Sequence, residues 1–127
     1  MKTQVVYHGT DIKAVNRIRK ERIIRGDPNA LFGVGFCGTV SRARSFVCIK
    51  CVSRTRRVGR VIRMVVAASL VKHNTPEAVQ DAFTVNNGPY LSLRALSLDD
   101  PRVLSFEVLT IKQQEKLLRA EYEQGRA

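Results

Sequence analysis

A chain of 127 residues, 44% of them hydrophobic, is sized for one globular domain, residues 1–127, and leaves no room for a second. The longest apolar run, 61–71, is interrupted by Arg63 and bounded by Lys72, well short of the roughly 20 residues that span a bilayer, so no membrane segment is expected. The net charge of +11 belongs to the first half: residues 1–63 hold 15 Lys and Arg against 3 acids, a net +12, and residues 64–127 hold 7 against 8, a net −1.

Such asymmetry favours an anionic partner: nucleic acid, a nucleotide phosphate or an acidic protein. The start of the chain lacks the charged-then-apolar pattern of a secretion signal, so a cytoplasmic bacterial or phage protein is expected. Three cysteines, Cys37, Cys48 and Cys51, are an odd number without an export signal, which argues against a disulfide framework. Cys48-Ile49-Lys50-Cys51 is a lone C-x-x-C. Zinc needs four ligands and a second close pair is missing, so buried thiols and no metal are expected.

In chain order, residues 4–8 read as a strand that stops on His8-Gly9-Thr10. Thr10 or Asp11 caps a helix through residue 23, with Ile12, Val15, Ile18 and the stem of Arg22 on its apolar face. Its charged faces carry Lys13, Arg17, Lys20 and Glu21. Residues 26–29 are a loop by turn chemistry, and residues 32–37 read as extended. Ser41 caps a helix from residue 42 to about 51, burying Ala43, Phe46 and Val47.

Residues 53–59 form a basic loop with Arg54, Arg56 and Arg57. Residues 60–68 alternate as a strong strand, Val61 and Val65 to one side, Ile62, Met64 and Val66 to the other. Asn74-Thr75-Pro76 starts a short helix ending near residue 83, and residues 86–88 turn. Residues 89–98 read as a strand, 99–101 as a turn and 103–111 as a strand. Residues 113–122 close the chain as an amphipathic helix or a fraying tail. Helices early and antiparallel strands late make an α+β fold.

Two segments carry chemistry. Tyr7-His8-Gly9-Thr10 ends the first strand, and Phe32-Gly33-Val34-Gly35-Phe36-Cys37-Gly38-Thr39 precedes a helix carrying Ala43 and Phe46. This pairing resembles the opening of the ADP-ribosyltransferase family. The resemblance covers about residues 4–50 by motif and the rest by element order. It implies small split antiparallel sheets around an NAD-type cleft, with helices packed on the N-terminal half.

In that family the histidine contacts a ribose, the following glycine offers backbone groups to the nicotinamide amide, and a tyrosine stacks on the nicotinamide ring. The resemblance therefore implies NAD as substrate, with His8, Gly9, Thr10, Phe36 and Cys37 lining its site and Arg54 and Arg57 drawing in phosphates or an anionic acceptor. The stacking tyrosine falls at Cys37. The family's catalytic glutamate has no match in Asn87-Gly88-Pro89-Tyr90-Leu91, which leaves Glu107 as the candidate acid beside His8.

Leaving of nicotinamide builds positive charge at the ribose, so a nearby carboxylate is the chemical requirement. The expected function is an ADP-ribosyltransferase-like protein acting on protein or nucleic acid. Alternatives are a catalytically degenerate nucleotide- or nucleic-acid-binding module, and a bacterial or phage factor acting through protein contacts. The tRNA 2′-phosphotransferase family, which shares the fold and a His-Gly-Thr opening, relies on arginines instead of a glutamate.

Overall fold

A computed structural model of the chain describes residues 2–25, 36–47, 59–73, 89–91 and 95–125. The expected short helix at 74–83, the turn at 86–88, the loop at 26–29, the two glycines of the Gly-x-Gly segment and the basic loop with Arg54 and Arg57 lie outside these residues.

The architecture is α+β with antiparallel sheets. The central sheet has the order β1 (Thr3–Asp11), β3 (Gly59–Ala67), β7 (Val103–Leu109). Two small sheets pair β2 (Ile23–Arg25) with β6 (Ala95–Ser97) and β4 (Val71–His73) with β5 (Pro89–Leu91). Strand β3 is the middle strand and buries apolar side chains on both faces, Ile62, Met64 and Val66 on one and Val61 on the other.

Register assigns the faces. Val6 stands opposite Met64, His8 opposite Ile62 and Thr10 opposite Arg60, while Tyr7 faces Arg63 and Gly9 faces Val61. On the far side Ile62 faces Val108, Arg63 faces Glu107 and Val61 faces Leu109. Side chains alternate with period 2. His8, Ile62 and Val108 therefore share one face, and Tyr7, Arg63 and Glu107 share the other.

The His8 face carries the larger core. Val15 and Ile18 of α1 (Ile12–Glu21), Ile24 of β2, Leu96 of β6 and Phe36 bury Val6, Ile62, Met64 and Val66 there. Each such aliphatic side chain contributes about 1.5–3 kcal/mol by leaving water. The opposite face packs Tyr7, Cys37, Val61 and Leu109 under Val40 and Ala43 of α2 (Val40–Phe46) and under Leu117 and Leu118 of α3 (Ile111–Glu123). Helices thus cover the sheet from both halves of the chain, not from the N-terminal half alone.

Several local expectations shift. Of the two expected caps of α1, Asp11 is the one used, accepting from Ala14 N at 2.7 Å. The helix stops at Glu21 because Arg22 turns left-handed (φ 59°), its N–H donating to Ile18 O at 2.8 Å, which frees the Ile23-Ile24 pair to join β6. Arg22 is exposed and pairs with Asp99 at 3.2 Å. Thr39 replaces Ser41 as the cap of α2, its hydroxyl accepting from Arg42 N at 3.2 Å. The strand expected at 89–98 is split between two sheets, since Leu96 pairs with the fully buried Ile24 while residues 89–91 pair with β4. The C-terminal helix does not fray: Thr110 and Gln113 form a reciprocal capping box at its start.

Candidate functional site

Strand β1 delivers His8, and a second segment meets it there. Tyr7 N donates to Cys37 O at 2.9 Å and Cys37 N donates to Tyr7 O at 2.7 Å, a two-bond antiparallel bridge. This bridge places Cys37 beside Tyr7 and Phe36 beside His8. The His8 and Phe36 rings stand 5.1 Å apart, tilted by 41°, within the range of a favourable aromatic pair. His8 is half-buried; Phe36 is only 1% exposed and backs the imidazole from within the core. Phe36 therefore supports His8 and does not line an open ring pocket.

Gly9 and Cys37 are packing residues. A Cβ at Gly9 would collide with the Ala43 carbonyl oxygen and come within 2.7 Å of Val47 Cγ2. The glycine is what lets α2 lie against β1. Cys37 sits in the cluster beneath α2, 4% exposed. Burial pushes its thiol up to about 11, with Arg42 pulling weakly the other way. A thiol held neutral in an apolar setting is inert, and it presents no surface for a nicotinamide ring. Thr10 is buried on the His8 face opposite Arg60.

Glu107 is not with His8. It stands opposite Arg63, on the other face of the sheet, and pairs with it at 3.6 Å. Residue parity decides this: His8 and Glu107 align with Ile62 and Arg63, consecutive positions of β3 whose side chains point apart. The two side chains leave opposite faces of the sheet, which corrects the expectation that Glu107 stands as the acid beside His8. Among the described residues no group of three or more His, Cys, Asp or Glu is placed to hold a metal, and no helix is long and apolar enough to cross a membrane.

The His8 face opens at its end into a cleft of about 400 Å³. Ile12 and Arg19 of α1, Arg60 of β3, Val108 and Leu109 of β7, and Thr110 and Ile111 at the start of α3 line it. His8 itself is not among the lining residues. Sequence reading named neither Arg19 nor Arg60 as site residues. No local signal could have found them: Arg60 shares a face with His8 only through the register of β1 on β3.

Glu121 was also missed. It is 5% exposed, and its two carboxylate oxygens accept from Val40 N at 2.7 Å and Ser41 N at 3.0 Å. One side chain of α3 thus satisfies the first amides of α2 and fixes the helix that covers Gly9. The one hint in the sequence is an acid in the last turn of a helix, where the dipole disfavours it.

Comparison with protein-family models, with curated proteins and with solved structures finds no match to this chain. The functional reading therefore rests on the geometry above and on the motif resemblance.

Proposed function

We propose that the chain is an ADP-ribosyltransferase-like domain that takes NAD+ at the His8 face of its central sheet and passes ADP-ribose to a protein or nucleic-acid acceptor. One observation carries this reading. The strand ending in His8-Gly9-Thr10 and the segment containing Phe36 and Cys37 are hydrogen-bonded neighbours, with His8 against Phe36 at 5.1 Å. These are the two segments on which the motif resemblance rests.

In this reaction the bond from ribose C1′ to the nicotinamide nitrogen breaks and its electron pair leaves on nicotinamide. A lone pair of the acceptor forms the new bond to C1′, and the acceptor's proton passes to solvent water. His8 binds a ribose hydroxyl and orients the sugar; Arg54 and Arg57 serve the pyrophosphate or the acceptor. Gly9 and Cys37 act by packing, and Glu107 has no role at the sugar.

The position of Glu107 favours a second reading, a domain that binds the dinucleotide without cleaving it. Titration with NAD+ and with a non-hydrolysable analogue, followed through the His8 ring resonances, separates the two when paired with an assay for released nicotinamide. Saturable shifts with nicotinamide release support transfer, and shifts without release support binding alone. His8→Ala is expected to weaken binding by about tenfold, the size of one charge-independent hydrogen bond, with the fold retained. An unperturbed His8 at millimolar NAD+ would sink both readings.

A further inference from the structure

The ion pairs among the described residues hold the protein's own surface together. Arg22 pairs with Asp99, Arg25 with Glu21, Arg63 with Glu107 and Arg102 with Asp100. Arg19 and Arg60 pair with no described carboxylate, and both line the cleft at the end of the His8 face. Arg60 is half-buried, with its Nη1 donating to Gly59 O at 2.9 Å, which leaves its guanidinium further N–H groups to offer. The acid closest in register, Asp11 opposite Gly59, is turned to cap α1.

The rest of the lining is mostly apolar, with Ile12, Val108, Leu109 and Ile111 beside Thr110, and Ile111 is 55% exposed at the start of α3. The capping box engages the Thr110 and Gln113 amides at that helix start, and the two arginines bring the full positive charges to the cleft. Its volume of about 400 Å³ is at the small end of ligand sites, which run from about 300 to 1,000 Å³. That is room for about one nucleotide unit of a strand. Lys13, Arg17 and Lys20 on the solvent side of α1 extend the same sign of charge.

We infer that this cleft binds single-stranded nucleic acid, with Arg19 and Arg60 on backbone phosphates and the apolar lining against a base. The inference deepens the proposed function by naming the acceptor class. A carboxylate-rich protein would also meet the arginines, but it offers no planar group for the apolar lining. An unpaired strand offers both, and a strand in a basic groove binds by this combination.

The test uses the full chain and a short fluorescein-labelled single-stranded RNA, and its DNA counterpart, followed by anisotropy across a salt series without NAD+. Replacing both arginines (Arg19→Gln with Arg60→Gln) is expected to weaken binding at least about tenfold and to lower the slope of log affinity against log salt by about 1.4, or ~0.7 for each phosphate that an arginine no longer neutralises. Ile111→Glu places an acid in the first turn of α3, where the helix dipole favours it, so it should keep the melting temperature while weakening the strand to a similar degree. The outer-face pair Arg17→Gln with Lys20→Gln should cost less than threefold.

Equal losses from the outer-face pair would mean diffuse charge attraction, and wild-type affinity in the cleft variants would mean no site; either overturns the inference. Polyglutamate bound as tightly as RNA, with the same sensitivity to the cleft variants, would assign the cleft to an acidic protein. Displacement of the strand by NAD+ at one equivalent would assign it to the dinucleotide. Because the readout needs neither NAD+ nor His8, failure here and failure of the transferase reading are told apart.

Discussion

The two faces of the central sheet are built from the same three strands and do different work. On one face, Tyr7, Cys37, Val61 and Leu109 are sealed beneath α2 and α3, and the glycine at position 9 exists to let α2 come close. On the other, the core is as dry at its centre but ends in a half-buried imidazole, a buried threonine and a two-arginine cleft. Chemistry-bearing residues in consecutive positions of β1 therefore separate: His8 and Thr10 go to the open-ended face, and Gly9 goes under a helix. A motif written as His-Gly-Thr names three neighbours in sequence but two environments in space.

The sharpest way to break this contrast is to unseat the helix that closes the first face. Glu121→Ala removes both acceptors from the amides of Val40 and Ser41 and leaves a buried N–H without a partner. The expected loss is about 3 kcal/mol, since hydrogen bonds to a charged group contribute ~1.5–3 kcal/mol and an orphaned buried donor adds to the cost. Urea denaturation would register it. A loss below about 0.5 kcal/mol would mean that α2 is held by Val40 and Ala43 alone.

A smaller effect should come from alkaline pH, through the thiol on the closed face. The unfolded Cys37 thiol ionises near 9.0, and burial holds the folded one to about 11. The folded state keeps its proton where the unfolded state loses it. The contribution to stability is therefore complete below pH 9 and is lost as pH rises from 9 to 11, by roughly 2–3 kcal/mol. Cys37→Ala should flatten the stability profile over that interval. At pH 8, peptide mapping after brief iodoacetamide treatment should find Cys37 unmodified until the protein unfolds. Rapid labelling in the native state would place this side chain at a surface and make it a ligand contact again.

Much of this layout is written in local pattern, and what is missing is long-range. The alternation of Val61 to Val66 gives β3, the spacing of Ile12, Val15 and Ile18 gives most of α1, and the late strand at 103–109 stands out by its apolar run. Which acid faces His8 is another matter. The parity of Glu107 relative to His8 exists only through the register of each with β3, and no local signal carries that register. The same holds for Glu121, whose bond to Val40 spans 81 residues. It holds too for residues 89–98, whose single alternating run is divided by the partners that each half meets in space. Thr39 and Ser41 are equally good capping residues by type; the extended backbone at Thr39 decides between them.

The gentlest perturbation is also the one that bears most directly on the two faces. The Arg63–Glu107 pair is 3.6 Å apart, with side chains 30% and 48% exposed, so solvent screens it and its worth to stability is under about 1 kcal/mol. Glu107→Gln should lower stability by less than about 0.5 kcal/mol and leave the His8 response to NAD+ unchanged, because the side chain it alters lies across the backbone from the imidazole. A carboxylate that stabilised charge at the leaving sugar would behave otherwise: its amide would still fold, still bind, and lose turnover by orders of magnitude. Nicotinamide release that survives Glu107→Gln and disappears in His8→Ala would place the chemistry on one face of the sheet. Release that disappears in both, with melting temperatures intact, would require the ligand to reach around the edge of β7, and the division of labour between the faces would fall.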